Sequence, residues 1–384
     1  MPAQRRLPLA YVVYFAAVGA AFPYLPVFYH DLGLDFDAIG LIAALQAATQ
    51  LVTAPIWGGL ADRFPRSRLA LPAAALFAAV GAAILVAATG LPGAVVGGVV
   101  LFAGLAGTGP VLDARALELL GADRARYGGV RAWGSAAFVL SATIVGVVLD
   151  REGPRAIFAI YLPALLATAL VTAFLPRSGA NRGTGMLVGA RDVLRSAGLP
   201  LFLAGVFLVW TSLTAINAFY SIQIVNLGGG ATLVGLAWAL GAIVEVPIMF
   251  GFARLAGRFG TERILVLGTV VFGLRAAAAA MTADPAALVA ISCLEGFAFG
   301  SFFVGGVTYI ARLAPTNLAG TAQGMFAAIA GLATIVGSSA GGVIAGWLTI
   351  RGLFAATVVG HLVAAVVVAF AVHRHAAEQR AAAH

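Results

Sequence analysis

The chain has 384 residues, 61% apolar and only 10% charged, against roughly 45–50% apolar and about 25% charged in soluble domains. With a mean hydropathy of +1.01, it excludes a string of soluble domains and points to a polytopic membrane protein. The net charge of +8 is carried by arginine, since lysine is absent. The arginines lie in short loops between apolar runs, so no nucleic-acid partner is expected.

In chain order, twelve apolar runs are long enough to cross a bilayer, near 9–29, 38–60, 69–89, 92–119, 127–149, 155–175, 199–226, 232–256, 263–282, 286–311, 318–348 and 353–372. None shows the short alternation of membrane barrels, so helices are expected. The first run, behind Arg5 and Arg6, has the outline of a secretory leader. It continues to about His30 and has a counterpart at 199–226, so it reads as a span. Pro23 and Pro26 interrupt it, and Pro247 interrupts the eighth run.

With the N-terminus inside, Arg151, Arg155 and Arg351 fall outside, Arg115, Arg131 and Arg275 fall within runs, and every other arginine is cytoplasmic. This asymmetry places both termini in the cytoplasm. Residues 176–198 form the longest non-apolar segment, a cytoplasmic linker with a short amphipathic helix from Met186 to Arg195. The expected domains are a six-helix bundle at 1–175, this linker, and a second six-helix bundle at 199–384. The halves repeat weakly at an offset of about 195 residues: Ile39-Gly40-Leu41 matches Val234-Gly235-Leu236, and Arg63-Phe64 matches Arg258-Phe259. Such repeats are typical of secondary transporters, whose substrate site lies at mid-membrane between the halves.

Runs four and five turn near Gly121-Ala122-Asp123-Arg124. Asp113 and Arg131 are equally distant from residue 122, so both lie about 13 Å deep. Charges at that depth cost about 2.5–3.5 kcal/mol on insertion scales, so pairing or a wet cavity is expected. A structural ion pair locking the hairpin is the alternative. The same arithmetic places Glu245 and Arg275 level about Gly260, and Arg275 and Glu295 level about Pro285. Three carboxylates face two guanidiniums. A poorly solvated carboxylate takes up a proton more readily than one in water, so Glu245 or Glu295 is a candidate proton carrier with Arg275 biasing it.

Asn217, Tyr220, Gln223 and Asn226 recur along one face of run seven, a cavity wall or a helix–helix hydrogen-bonding stripe. Tyr24, Phe28, Gln46, Gln50, Trp133 and Trp238 are lesser cavity candidates. Gly337, Gly341, Gly342 and Gly346 have the spacing of close helix packing. His361 reads as a packing residue, as does Cys293, which as the sole cysteine excludes an internal disulfide. No nucleotide-binding, zinc-protease or serine-hydrolase motif is present. The expectation is a non-enzyme with no cofactor and no metal.

GGLADRFPRSR at 58–68 resembles the loop signature of the major facilitator superfamily, through Gly58, Leu60, Asp62, Arg63, Arg66 and Arg68, with Pro65 where a glycine is usual. The second-half copy, GFARLAGRFGTER, is degraded, with Gly257 in the place of Asp62. AFPYLPVFYHDLGLDFDAIG and RYGGVRAWGS resemble the lactose-permease, nucleoside-symporter and phenylpropionate-transporter branch. The resemblance implies an all-α membrane protein of twelve transmembrane helices in two pseudo-symmetric six-helix bundles. It also implies a gating loop of Gly58, Asp62, Arg63, Arg66 and Arg68, and a substrate pair formed by Asp113 and Arg131. Glu295 and Ala298 stand where that branch has its coupling histidine and proton-carrying glutamate, so its relay is absent.

The expected function is proton-coupled uptake of a small polar or anionic solute (a sugar, nucleoside or aromatic acid) by alternating access. Asp113, Arg131, Asn217, Tyr220, Gln50 and Tyr24 would bind substrate, and Glu245, Arg275 and Glu295 would couple protons. The alternative is a drug/proton antiporter exporting lipophilic, cationic compounds. A non-transporting sensor or enzyme is the remote one. Partners would be the solute, protons and the lipid bilayer, with the monomer as the functional unit in a bacterial cytoplasmic (inner) membrane.

Overall fold

The structure, a computed structural model, describes residues 3–63, 69–121, 126–176, 198–313 and 318–382. The described residues are mostly helical, with no strand among them. Long Ala-, Leu-, Val- and Gly-rich runs leave the chain one way to satisfy its backbone in hydrocarbon, the internally bonded helix.

The helices are α1 (Ala3–Ala21), α2 (Leu25–Asp31), α3 (Phe36–Arg63), α4 (Ala70–Val86), α5 (Leu91–Leu120), α6 (Tyr127–Glu152), α7 (Ile157–Ala173), α8 (Leu199–Asn226), α9 (Ala231–Phe259), α10 (Thr261–Met281), α11 (Pro285–Leu313) and α12 (Ala319–Ala382). Among the described residues, ten stretches are long and apolar enough to cross a membrane. The α1–α2 break lies at the prolines the sequence flags, and Arg6–Asp31 forms one such stretch across it. Helix α4 is apolar but has only 17 residues, about 26 Å of rise. Helix α12 runs for 64 residues and is broken at Thr349, whose φ of 73° lies outside helical space. A β-branched residue rarely adopts that conformation.

Large apolar side chains stand exposed along these helices, among them Val80, Leu140, Ile144, Phe250, Trp347 and Val366. Exposed apolar surface on this scale suits contact with lipid.

The chain divides into two compact units: Met1–Gly183 with Ile224–Ala239, and Thr184–Gln223 with Leu240–His384. In the first, α4 packs on α5 and α7, α1 on α6 and α7, and α3 on α5. The α4–α5 approach is close enough to require glycine, since a Cβ on Gly104 would overlap the backbone of Ala74 and Ala78. In the second unit α10 packs on α11 and α12. Gly337 and Gly341 bring α12 onto α8 at Thr211 and Ala215, as their spacing predicts. The core there is aromatic, with Trp210 against Phe302 and Phe326 and Phe202 against Tyr309.

Two of the arginines expected outside serve the same purpose in the two halves. Arg155 donates to the carbonyls of Val86 and Ala88 at the C-terminal end of α4. Arg351 donates to those of Ala280 and Met281 at the end of α10. A cation at a helix C-terminus meets both free carbonyls and the negative end of the helix dipole. In the first unit, Asp150 on α6 caps the N-terminus of α9, accepting from the amides of Ala231 (2.5 Å) and Thr232 (3.0 Å) and from the Thr232 hydroxyl.

Candidate functional site

Each unit holds a polar cluster on its apolar helices. In the first, α5 supplies Asp113, α6 supplies Arg131, and the two meet at 3.4 Å through Arg131 Nη1 and Asp113 Oδ1. Of the two outcomes expected for these charges, a pair or a wet cavity, the structure shows the contact of a pair. It is a loose one, with side chains 44% and 37% exposed. The shorter bond to Asp113 comes from Tyr11 on α1, whose hydroxyl donates to the same Oδ1 at 2.6 Å. The guanidinium of Arg131 lies 5.0 Å over the ring of Phe15, also on α1. Tyr127, edge-on to Tyr11 at 6.4 Å, completes the group. Tyr11, Phe15 and Tyr127 escaped the sequence reading. Tyr11 and Phe15 stand four residues apart, the spacing that puts two side chains on one helix face, but nothing in one sequence says that this face meets Asp113.

In the second unit, Arg275 on α10 is 1% exposed and bonds Glu295 on α11 at 3.0 Å. Asn217 on α8 bridges them, donating to Glu295 Oε1 at 2.7 Å and accepting from Arg275 Nη1 at 2.9 Å. The ring of Tyr220, one helical turn on, lies under the guanidinium at 4.5 Å, and its hydroxyl donates to the Leu288 carbonyl at 2.6 Å. The structure thus joins two residues expected in a substrate wall, Asn217 and Tyr220, to two expected in coupling. The stripe they begin does not continue as one surface: Gln223 is buried and Asn226 exposed. Glu245 is half-buried, and its backbone packs against Gly296, the residue after Glu295. His361 is buried, its Nδ1 2.8 Å from the Thr357 carbonyl and its ring stacked on Phe272.

Tyr24 is fully buried and its hydroxyl bonds the Ala142 carbonyl. Gln46 is buried and bonds the Tyr29 hydroxyl at 2.8 Å, Phe28 packs on Phe158, and Trp238 meets Phe22 edge-on. Gln50 is half-buried and Trp133 is 60% exposed. In the loop signature, Gly58 and the exposed Arg63 close α3. Arg66, Arg68 and the side chain of Asp62 lie outside the described residues, as does the linker except for its two ends. Among the described residues no group of His, Cys, Asp and Glu could hold a metal.

Long apolar helices that carry ion pairs along their length mark a multi-pass membrane protein. Residues 4–356 match the MFS_1 like family, and the chain belongs to that family within the major facilitator superfamily. It is 33% identical over 328 residues to a maltose permease of Geobacillus stearothermophilus, covering 84% of this chain and 82% of the permease. It is 25% identical to the multidrug resistance protein MdtG of Citrobacter koseri over 92% of this chain and 91% of that protein. The fold is similar to the crystal structure of the nucleoside transporter NupG, with a TM-score of 0.85 at 17% identity, covering 97% of this chain and 98% of that one. The members of this family are transporters and not enzymes.

Proposed function

We propose that the protein is a proton-coupled importer of a small polar solute, and that a saccharide is the class that fits best. The observation that carries this reading is the Asp113–Arg131 pair, a carboxylate and a guanidinium on apolar helices that are each more than a third exposed. Charged side chains at membrane depth mark substrate or ion pathways. An acid and a forked donor side by side suit a polyol, whose hydroxyls both donate and accept. The maltose permease relative supports the saccharide class.

In this reading Asp113 and Arg131 hold the solute and Gln50 adds a lining amide. Arg275, Glu295 and Glu245 couple protons, with Asn217 and Tyr220 ordering the first two. The chain crosses a bacterial cytoplasmic membrane twelve times as a monomer with both termini inside: α4 counts as a span, and the break at Thr349 divides α12 into two. The six-plus-six division at 176–198 and the gating role of the 58–68 loop belong to the same reading, as does transport by alternating access.

The test is uptake of radiolabelled maltose into proteoliposomes under an imposed inward proton gradient, with internal pH followed. Maltose-driven proton entry is expected, and its loss in Glu245→Gln or Glu295→Gln. If both variants still couple, the carriers are wrongly assigned. The MdtG relative favours a second reading, export of lipophilic compounds. Gradient-driven extrusion of ethidium with no maltose uptake would establish that one instead.

A further inference from the structure

An arginine and a carboxylate frequently meet in a forked contact with bonds of about 2.7–2.9 Å. Asp113 and Arg131 do not: one nitrogen reaches one oxygen at 3.4 Å. Each is held from elsewhere. The carboxylate accepts from the Tyr11 hydroxyl at 2.6 Å, the length of a strong bond from a hydroxyl to an ionised oxygen. The guanidinium lies on the Phe15 ring at 5.0 Å, within range of a cation–π contact. Tyr11 is fully buried and stacks on Phe15 with centroids 6.1 Å apart, so the two rings form one rigid face of α1. In the second unit, where Asn217 of α8 bonds both partners and so draws them together, Arg275 meets Glu295 at 3.0 Å.

We propose that Tyr11 and Phe15 are positioning residues that hold Asp113 and Arg131 apart, so that the guanidinium meets solute instead of being consumed in an internal salt bridge. This rests on the reading of Asp113 and Arg131 as the solute pair. Removing either hold lets the pair close. Solute must then break a salt bridge before binding, which weakens affinity without touching the later steps.

The test uses the full chain in lipid nanodiscs. Phenylglyoxal, a guanidinium reagent, is applied to wild type, Tyr11→Phe and Phe15→Leu, and modification of Arg131 is followed by peptide mass spectrometry. Each substitution is expected to slow modification of Arg131 about three-fold, the scale of a partly exposed ion pair. Neither should slow it in an Asp113→Asn background, where there is no carboxylate to close on. A rate at the wild-type value in a single variant removes that residue from the proposal. Slowing that persists with Asp113→Asn overturns it, since the effect would then be general distortion. The two variants are read separately, so failure of one to fold leaves the other decisive.

In proteoliposomes the same variants are expected to raise the KM for maltose by the same factor of about three, because closure of the pair competes with solute as it does with the reagent, with the maximal rate nearly unchanged. A fall in maximal rate at constant KM would count against positioning. If wild type moves no maltose, the saccharide reading fails while the modification experiment still decides this one.

Discussion

The two polar clusters use the same chemistry to opposite ends. Arg275 and Glu295 are pulled together at 3.0 Å, the arginine 1% exposed, with Asn217 bonded to both and Tyr220 beneath. Asp113 and Arg131 stand at 3.4 Å, both more than a third exposed, each tied to a different residue of α1. A buried pair carries a large desolvation cost that is offset only while both partners and their hydrogen bonds are present. An exposed pair costs little to make and little to break. The first arrangement suits a group that must stay intact until its charge is altered. The second suits a group that is traded for a ligand.

The largest way to break this contrast is to remove one partner of the buried pair. Glu295→Ala is expected to destabilise the second unit by about 3–5 kcal/mol, because Arg275 is left charged in an apolar setting. Thermal unfolding followed by tryptophan fluorescence in detergent would register it, and Arg275→Met added to Glu295→Ala should recover much of the loss. A single variant as stable as wild type would mean that water reaches Arg275 and that the two clusters do not differ in burial.

The exposed pair should behave in the reverse way. Arg131→Ala is expected to leave the unfolding midpoint almost unmoved, since a pair this exposed contributes at most about 1 kcal/mol. Maltose affinity, read by isothermal titration, should fall about ten- to a hundred-fold, the value of one or two hydrogen bonds to a charged group. Equal losses of stability and affinity would make the pair a hairpin lock and remove the contrast.

Smaller effects test the frame that carries the clusters. Asp150→Ala strips the N-terminal cap from α9 and should cost about 1 kcal/mol, measured as a shift in urea midpoint. Smallest of all, Arg155→Ala and Arg351→Ala should each cost about 0.3–1 kcal/mol. Their near-equality is the informative part: the two caps occupy matching places, on α4 and α10, in the weak repeat. A cost confined to one of them would show that the halves have diverged there.

Much of this protein is written in its composition. Runs of apolar residues declare membrane helices wherever they occur, because a backbone in hydrocarbon must bond to itself. Helix rise is constant, so equal arms about a turn bring Asp113 level with Arg131, and Arg275 level with Glu295, without reference to any other part of the chain. Depth is a property of one hairpin and can be counted along it. Azimuth and neighbourhood are not. Whether Arg275 chooses Glu245 or Glu295 depends on how α9, α10 and α11 rotate about their axes. That Asn217 binds both members of the chosen pair depends on α8, and that Tyr11 and Phe15 reach the first pair depends on α1 lying against α6, over a hundred residues along the chain. Those rotations are settled by which side chains interdigitate and where glycine admits a neighbour's backbone, contacts that exist only once distant helices have packed. Sequence sets how deep each charge lies, and tertiary packing decides which partner it meets and how tightly.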